Sequence, residues 1–348
     1  MVAALAVVAV STASAADNLA VSGSSAADNV ASPACTDSAP KNAAAKCIAL
    51  PRPQDQLWLV SDRTQGCADA RPENLQYWRY QPGQGWQAAT GARFFAADHP
   101  AAITAVWIHG NRIDPGNAFE VGWTAYSAIA RQAKDDRPLR FVIWSWASER
   151  IQAGPLEDIR VKADRTAASS LRLTRLLDGI RPDVQITLIG YSFGARIATG
   201  ALHLLGGGAL NGHTVALTGA DLRPQFDVVL MAAALDSDWI LPGHCHGKAL
   251  DRVGRLLLVD NSSDRAIKRY HLLYGLRIDA QGLGVTGVVG VEQLGAARSK
   301  IEQFDAACYV GPEHDWSHYF GSSTVVGLIL PYVFQSHPTP AGKLLTGK

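Results

Sequence analysis

The strongest constraint on what this chain can fold into is a series of short apolar runs, each followed by a stretch of helical length. Residues 103–108, 139–146, 184–189 and 226–235 have strand length and almost no polar alternation. Strands that are apolar on both sides must be buried on both sides, which a parallel sheet sandwiched between helices provides. Residues 118–133, 156–180 and 195–205 read as the intervening helices. Within the second, Leu173, Leu176, Leu177 and Ile180 recur at i, i+3, i+4 and i+7, the spacing of one buried helix face. Shorter strands are expected at 57–60, 255–259 and 304–310, with helices at 264–273 and 324–334. At the front, 75–80 and 86–95 read as antiparallel strands joined through a turn at Gly83 and Gly85. The alternation predicts an α/β chain with a mostly parallel central sheet and helices on both faces. Residues 282–290 are rich in Gly and Val and read as a loop. No internal repeat is evident.

Composition bounds the partners. The 348 residues are 47% hydrophobic and 18% charged, with a formal net charge of +1. That suits a substantial core. Without a basic run or a basic–aromatic stripe it argues against nucleic acid as a partner. No apolar stretch reaches the roughly 18 residues that a membrane span requires; residues 325–334 are too few and contain Pro331. The start of the chain reads as an export signal: an apolar stretch at 2–10, then Ala13-Ser14-Ala15 as a small-x-small cleavage site. No Lys or Arg precedes it. Residues 1–15 are therefore expected to be a signal peptide, which places the protein in the periplasm or outside the cell. Residues 16–46, dominated by Ala, Ser, Asp and Asn, are expected to be a disordered leader. The folded domain is placed at 47–336 and a tail at 337–348. The five cysteines are Cys35, Cys47, Cys67, Cys245 and Cys308. In an exported protein some should pair, and the odd number leaves at least one over. Cys47–Cys67 is favoured by proximity.

One short segment carries chemistry. Gly190-Tyr191-Ser192-Phe193-Gly194 lies between the run at 184–189 and the helix at 195–205. G-x-S-x-G between a strand and a helix has the form of a nucleophile elbow, a strained turn that lifts the serine hydroxyl above the sheet. Side chains two residues away on either side would strike neighbouring backbone, and glycine removes that collision. A tight turn between strand and helix would also use small residues, but gives no reason for a serine between them. With this motif, the strand–helix alternation and a His109-Gly110-Asn111 loop after the run at 103–108, the chain resembles the α/β-hydrolase family, in its serine esterase/lipase-like branch. The resemblance covers residues 56–335.

It implies a nucleophile, an acid and a histidine in that chain order. Ser192 is the nucleophile. For the acid, Asp264 is favoured, beyond the end of the strand at 255–259 and opening the next helix. Asp260 and Asp236 are rivals, and an aspartate after a strand is also an ordinary helix cap. For the base, His314 lies in the loop after the last expected strand; His318, four residues on, is the alternative. The oxyanion donors would be the backbone N–H of Phe193 and that of Asn111, with Gly110 as alternative to Asn111, and His109 would hold the loop.

Other features have plainer readings. His244-Cys245-His246 could be taken for metal ligands, but alternate residues rarely converge on one ion and no metal is expected. Trp144 and Trp316 could line an acyl pocket, although core packing is the commoner use of tryptophan. Gly206-Gly207-Gly208 reads as a helix stop. The expectation is thus a serine hydrolase acting on a small-molecule or lipid-like ester through an acyl-enzyme, without a cofactor. A peptidase or thioesterase on the same scaffold, or a non-catalytic binding protein of this shape, are the alternatives; the oligomeric state is not readable.

Overall fold

A sheet buried on both faces organises the computed structural model, which describes residues 50–64, 71–218, 225–274 and 281–335. The chain divides into two units, Met1–Ala34 and Cys35–Lys348, and every described residue belongs to the second. The expected signal peptide and leader, the whole tail at 337–348, and Cys35, Cys47 and Cys67, with the favoured Cys47–Cys67 pairing, lie outside the described residues.

In chain order the strands are β1 (Gln56–Ser61), β2 (Gln76–Gln81), β3 (Gly85–Ala89), β4 (Ile103–Ile108), β5 (Leu139–Ser145), β6 (Ile186–Tyr191), β7 (Phe226–Met231), β8 (Val253–Asp260) and β9 (Ile301–Asp305). They form one sheet in the order β3-β2-β1-β5-β4-β6-β7-β8-β9. The β1–β2 and β2–β3 pairs are antiparallel. The pairs from β1–β5 to β8–β9 are parallel. The helices are α1 (Gly91–Ala96), α2 (Pro115–Gln132), α3 (Pro155–Gly179), α4 (Phe193–Leu205), α5 (Leu283–Thr286), α6 (Ala307–Val310), α7 (Trp316–Gly321) and α8 (Ser323–Phe334). This is the mostly parallel, helix-covered sheet that the alternation of runs and helices predicts, and it is consistent with the α/β-hydrolase fold that the resemblance implies.

Strand side chains alternate between two cores, as a period of two requires. Val106, Ile108, Val142 and Leu188 pack with Leu173, Leu176, Ala198 and Leu202 of α3 and α4. Ala105, Trp107, Ile143 and Ile189 pack with Ala125, Ile129, Ile329 and Val333 of α2 and α8. Each buried Leu, Ile or Val contributes about 1.5–3 kcal/mol relative to exposure. Trp144 is fully buried and belongs to the first core, and its indole N–H donates to Ser169 Oγ at 2.9 Å.

The order of strands decides where chemistry can occur. The chain runs outward from β4 in both directions, to β5 on one side and to β6 on the other. The carboxyl ends of β4 and β6 are therefore neighbours at the point where the winding reverses, the usual place for a ligand crevice in an open α/β sheet.

Three expected strands end earlier than their sequence suggests: the run at 226–235 leaves the sheet after Met231, and two others give way to helices. Residues 86–95 were expected to be one strand, yet β3 stops at Ala89 and α1 follows. Thr90 is the reason: its Oγ1 accepts the Arg93 N–H and caps the helix. Residues 304–310 were expected as the last strand, but β9 is Ile301–Asp305 and α6 covers 307–310. Asp305 Oδ1 accepts the Ala307 N–H at 3.0 Å, turning the chain out of the sheet. The Gly/Val-rich stretch at 282–290 contains the single turn α5, whose Gly284 bonds its backbone to Ala233 and to Asn261.

Candidate active site

Ser192 is the hinge between β6 and α4. Its backbone lies at φ 55°, ψ −120°, in the left-handed half of the map that an L-residue enters at a cost of order 1–3 kcal/mol. Three backbone bonds hold it there. The Ser192 N–H donates to Met231 O at 3.0 Å, and Ser192 O accepts from Ala195 N at 3.0 Å and Ala234 N at 3.2 Å. The flanking glycines are obligatory. A Cβ on Gly190 would stand 2.7 Å from the Ala195 backbone, and one on Gly194 would stand 2.0 Å from Ile108 O. The second contact brings the start of α4 directly against the end of β4.

His314 reaches this serine from the loop after α6. Its Nε2 lies 2.9 Å from Ser192 Oγ and its Nδ1 2.7 Å from Asp264 Oδ2. The ring stacks on Tyr191, with centroids 5.1 Å apart and planes 28° apart. Asp264 is completely buried and uses its two oxygens differently. Oδ1 accepts the N–H groups of Ala266 at 2.8 Å and Ile267 at 2.9 Å, while Oδ2 faces the histidine. Helix capping and orientation of the imidazole are thus served by one side chain. The acid and histidine loops are tied together by Asn261 Nδ2–H donating to Gly311 O at 2.8 Å, by Arg265 N–H donating to Pro312 O at 3.1 Å, and by the exposed Arg265–Glu313 ion pair.

The rival residues have other partners. Asp236 Oδ1 accepts the Tyr270 hydroxyl at 2.8 Å. Asp260 sits at the end of β8 beside Asp305. Burial, with Asp305 adding to it, pushes the Asp260 carboxyl up to about 7. His318 donates from Nδ1 to Val310 O at 2.9 Å within the α6–α7 corner. Neither rival acid nor the rival histidine is joined to the Ser192–His314–Asp264 line.

On the other side of Ser192 lies the loop after β4. A Cβ on Gly110 would stand 3.1 Å from Ser192 Cβ and 2.8 Å from Tyr191 Cδ1, so the Gly110 backbone rests against the serine. Phe193 is the first residue of α4, so its N–H has no acceptor within the helix. Asn111 is half-buried, and its Oδ1 accepts the Arg112 N–H at 2.9 Å. Arg112 has φ 60° and is held by a second bond, to Ser148 O at 2.8 Å. His109 is buried beneath the loop, and its Nδ1 lies 2.9 Å from Gly110 O. Burial, reinforced by the nearby Arg63 cation, lowers its imidazole to about 3 and keeps it neutral.

Sequence reasoning missed several residues here. Tyr191, Asn261 and Arg63 buttress the site from neighbouring elements. Only Tyr191 carried a signal, as the variable position inside the elbow. Metal binding at 244–246 finds no support in the geometry. His246 is buried against Thr199 Oγ1 at 2.8 Å, while His244 faces Asp238 at 3.3 Å. Among the described residues no group of His, Cys, Asp or Glu is arranged to hold an ion. No described helix is long and apolar enough to cross a membrane. Among the described residues Cys245 is free and Cys308 is disulfide-bonded.

No protein-family model matches the chain, and no curated protein matches it. Similar solved structures include esterase B from Lactobacillus rhamnosis inhibited by a C4-C4 SN3 tributyrin phosphonate. It shares 13% identity over 81% of this chain and 87% of that one, at a TM-score of 0.34. A C6-C4 SN3 inhibited form of the same esterase shares 14% identity over 79% and 85%, also at 0.34. Likenesses this remote say nothing about the activity of the present chain.

Proposed function

We propose that this protein is a serine hydrolase that cleaves carboxylic esters through an acyl-enzyme. The observation that carries the reading is the unbroken line Ser192 Oγ–His314 Nε2, His314 Nδ1–Asp264 Oδ2, at 2.9 and 2.7 Å, on a strained turn with φ 55°. Such strain needs a compensating use, and an aspartate aimed at a histidine aimed at a serine is the arrangement that acyl transfer requires.

In this reading Ser192 Oγ attacks the ester carbonyl as its proton passes to His314 Nε2. Asp264 Oδ2 stabilises the imidazolium through Nδ1. The carbonyl oxygen gains charge between the N–H groups of Phe193 and Asn111, each donor contributing roughly 3 kcal/mol to the transition state. As the C–O bond breaks, His314 Nε2 returns the proton to the leaving alcohol. Water then attacks the acyl-enzyme, with His314 again taking the proton, and Ser192 leaves with its hydroxyl restored. The chemistry calls on no cofactor. We further propose that the protein acts outside the cytoplasm; the disulfide at Cys308 supports an oxidising compartment.

The test is incubation of the purified protein with a fluorophosphonate probe, mapping of the modified residue, and turnover of a p-nitrophenyl ester. Modification at Ser192 together with ester turnover, both lost in Ser192→Ala, is the expected result. A folded protein that is neither modified nor active would overturn the reading.

A further inference from the structure

We propose that Arg63 is a positioning residue for the oxyanion loop: its guanidinium selects the His109 tautomer that holds the Gly110–Asn111 peptide with the Asn111 N–H turned toward Ser192. The proposal rests on the serine-hydrolase reading and assigns it a residue from a separate part of the chain.

Arg63 follows β1, and its side chain is 8% exposed. Nε–H donates to Ser145 Oγ at 2.8 Å, and Nη1 pairs with the Glu149 carboxylate. Nη2 donates to Ile113 O at 2.8 Å and lies 3.4 Å from His109 Nε2. One side chain thus grips both ends of the loop 109–113, on either side of Gly110 and Asn111. Burying a cation here is costly, and an apolar side chain of similar volume would commonly serve stability as well. The planar, five-donor fork of arginine provides a directional constraint that packing does not.

The direction follows from donor arithmetic. A guanidinium has no acceptor, so the His109 nitrogen facing it must be the one without a proton. The single proton of the neutral ring then resides on Nδ1, which lies 2.9 Å from Gly110 O and donates to it. In a planar trans peptide the carbonyl and the following N–H point in opposite directions. Holding Gly110 O on the His109 ring therefore turns the Asn111 N–H away from it. The Gly110 backbone also rests on Ser192, where an added Cβ would come within 3.1 Å of Ser192 Cβ, so a fixed Gly110–Asn111 peptide is fixed beside the nucleophile. The opposite tautomer would place the Nδ1 lone pair against Gly110 O and release the peptide. Lowering of the His109 imidazole to about 3 keeps the ring neutral, so the tautomer choice persists through the physiological range.

The experiment is ¹⁵N NMR of the full chain labelled at histidine, with His109 assigned by its loss in His109→Gln, alongside kinetics of Arg63→Met. The wild type is expected to show His109 protonated at Nδ1 and bare at Nε2, and Arg63→Met to shift population to the Nε2–H form. The same variant should lose about tenfold or more in kcat on a p-nitrophenyl ester, the scale of a misplaced oxyanion donor, with KM little changed. Its affinity for a trifluoromethyl ketone, which becomes a tetrahedral oxyanion on Ser192, should fall in step with kcat/KM. An Nε2–H tautomer in the wild type overturns the proposal, and so does an Arg63→Met enzyme with undiminished kcat. If Arg63→Met folds poorly, the wild-type tautomer decides alone. If the wild type neither reacts with a fluorophosphonate nor turns over ester, the hydrolase reading fails, and the tautomer still decides whether Arg63 orders the loop.

Discussion

Replacing Asp264 by asparagine should separate the two tasks of this side chain. Oδ1 caps the helical turn by accepting two N–H groups, from Ala266 and Ile267. In the variant only the amide oxygen can take that place, because the amide nitrogen donates and cannot face two donors. The NH₂ is therefore forced to the position of Oδ2, 2.7 Å from His314 Nδ1. It donates to Nδ1, the ring proton moves to Nε2, and Nε2 can no longer accept from Ser192. Loss of the base in this way lowers kcat by roughly 10⁴, about 5.5 kcal/mol of barrier. The cap survives, so stability should change by well under 1 kcal/mol. Asp264→Ala removes both tasks and should additionally cost about 0.5–2 kcal/mol of stability for the lost cap. Ester turnover and thermal unfolding of both variants provide the assay. An Asp264→Asn protein that keeps kcat within tenfold of wild type, or one that unfolds as readily as Asp264→Ala, would refute the reasoning.

Asp260 predicts a pH dependence of stability. Its folded-state pKa is raised from 3.8 to about 7, so the native state holds a proton that the unfolded chain releases between those values. That contribution is complete below about pH 4 and lost as pH rises through 7. Asp260→Asn should accordingly gain in melting temperature over wild type on going from pH 5 to pH 8, by an amount that reflects ~2.7 kcal/mol, the roughly two pH units of the shift that lie above pH 5; an equal offset at both pH values would contradict this. Gly194→Ala drives a Cβ to 2.0 Å from Ile108 O, a backbone clash without a flexible partner. It should cost about 1–3 kcal/mol and abolish fluorophosphonate labelling, whereas a stable, fully labelled variant would show the elbow to be looser than described. His318→Gln loses only the bond to Val310 O; kcat should stay within about twofold while stability falls by about 1 kcal/mol, and a large loss of kcat would point to the wrong histidine.

Much of the site was readable because its signals are local. Gly190 and Gly194 are spelled by steric contacts within a few residues of the elbow, or with the strand beside it. The expected boundaries of β4 and α8 lie at or within a residue of those observed, because continuous apolar runs report burial directly. The misplaced ends of β3 and β9 were also local in cause, but Thr90 and Asp305 acted through capping bonds that compete with strand pairing and leave hydrophobicity unchanged. Choosing among Asp264, Asp260 and Asp236 was of a different kind. All three follow strands and could cap a turn, and only the position of the histidine loop distinguishes them.

By itself, the sequence determined the class of sheet, the burial of its strands on both faces and the strained turn that presents Ser192. Each follows from side-chain periodicity or backbone sterics over a few residues. Only the tertiary structure decided which side chains meet that serine. His314 is 122 positions away from it, Asp264 is 50 positions from His314, and Arg63 is 46 positions from His109. Those distances close because the parallel strands β1, β5, β4, β6, β7, β8 and β9 lie side by side with their carboxyl ends together. That order is set by the packing of two helical layers on one sheet, a property of the whole chain that no short window of sequence contains.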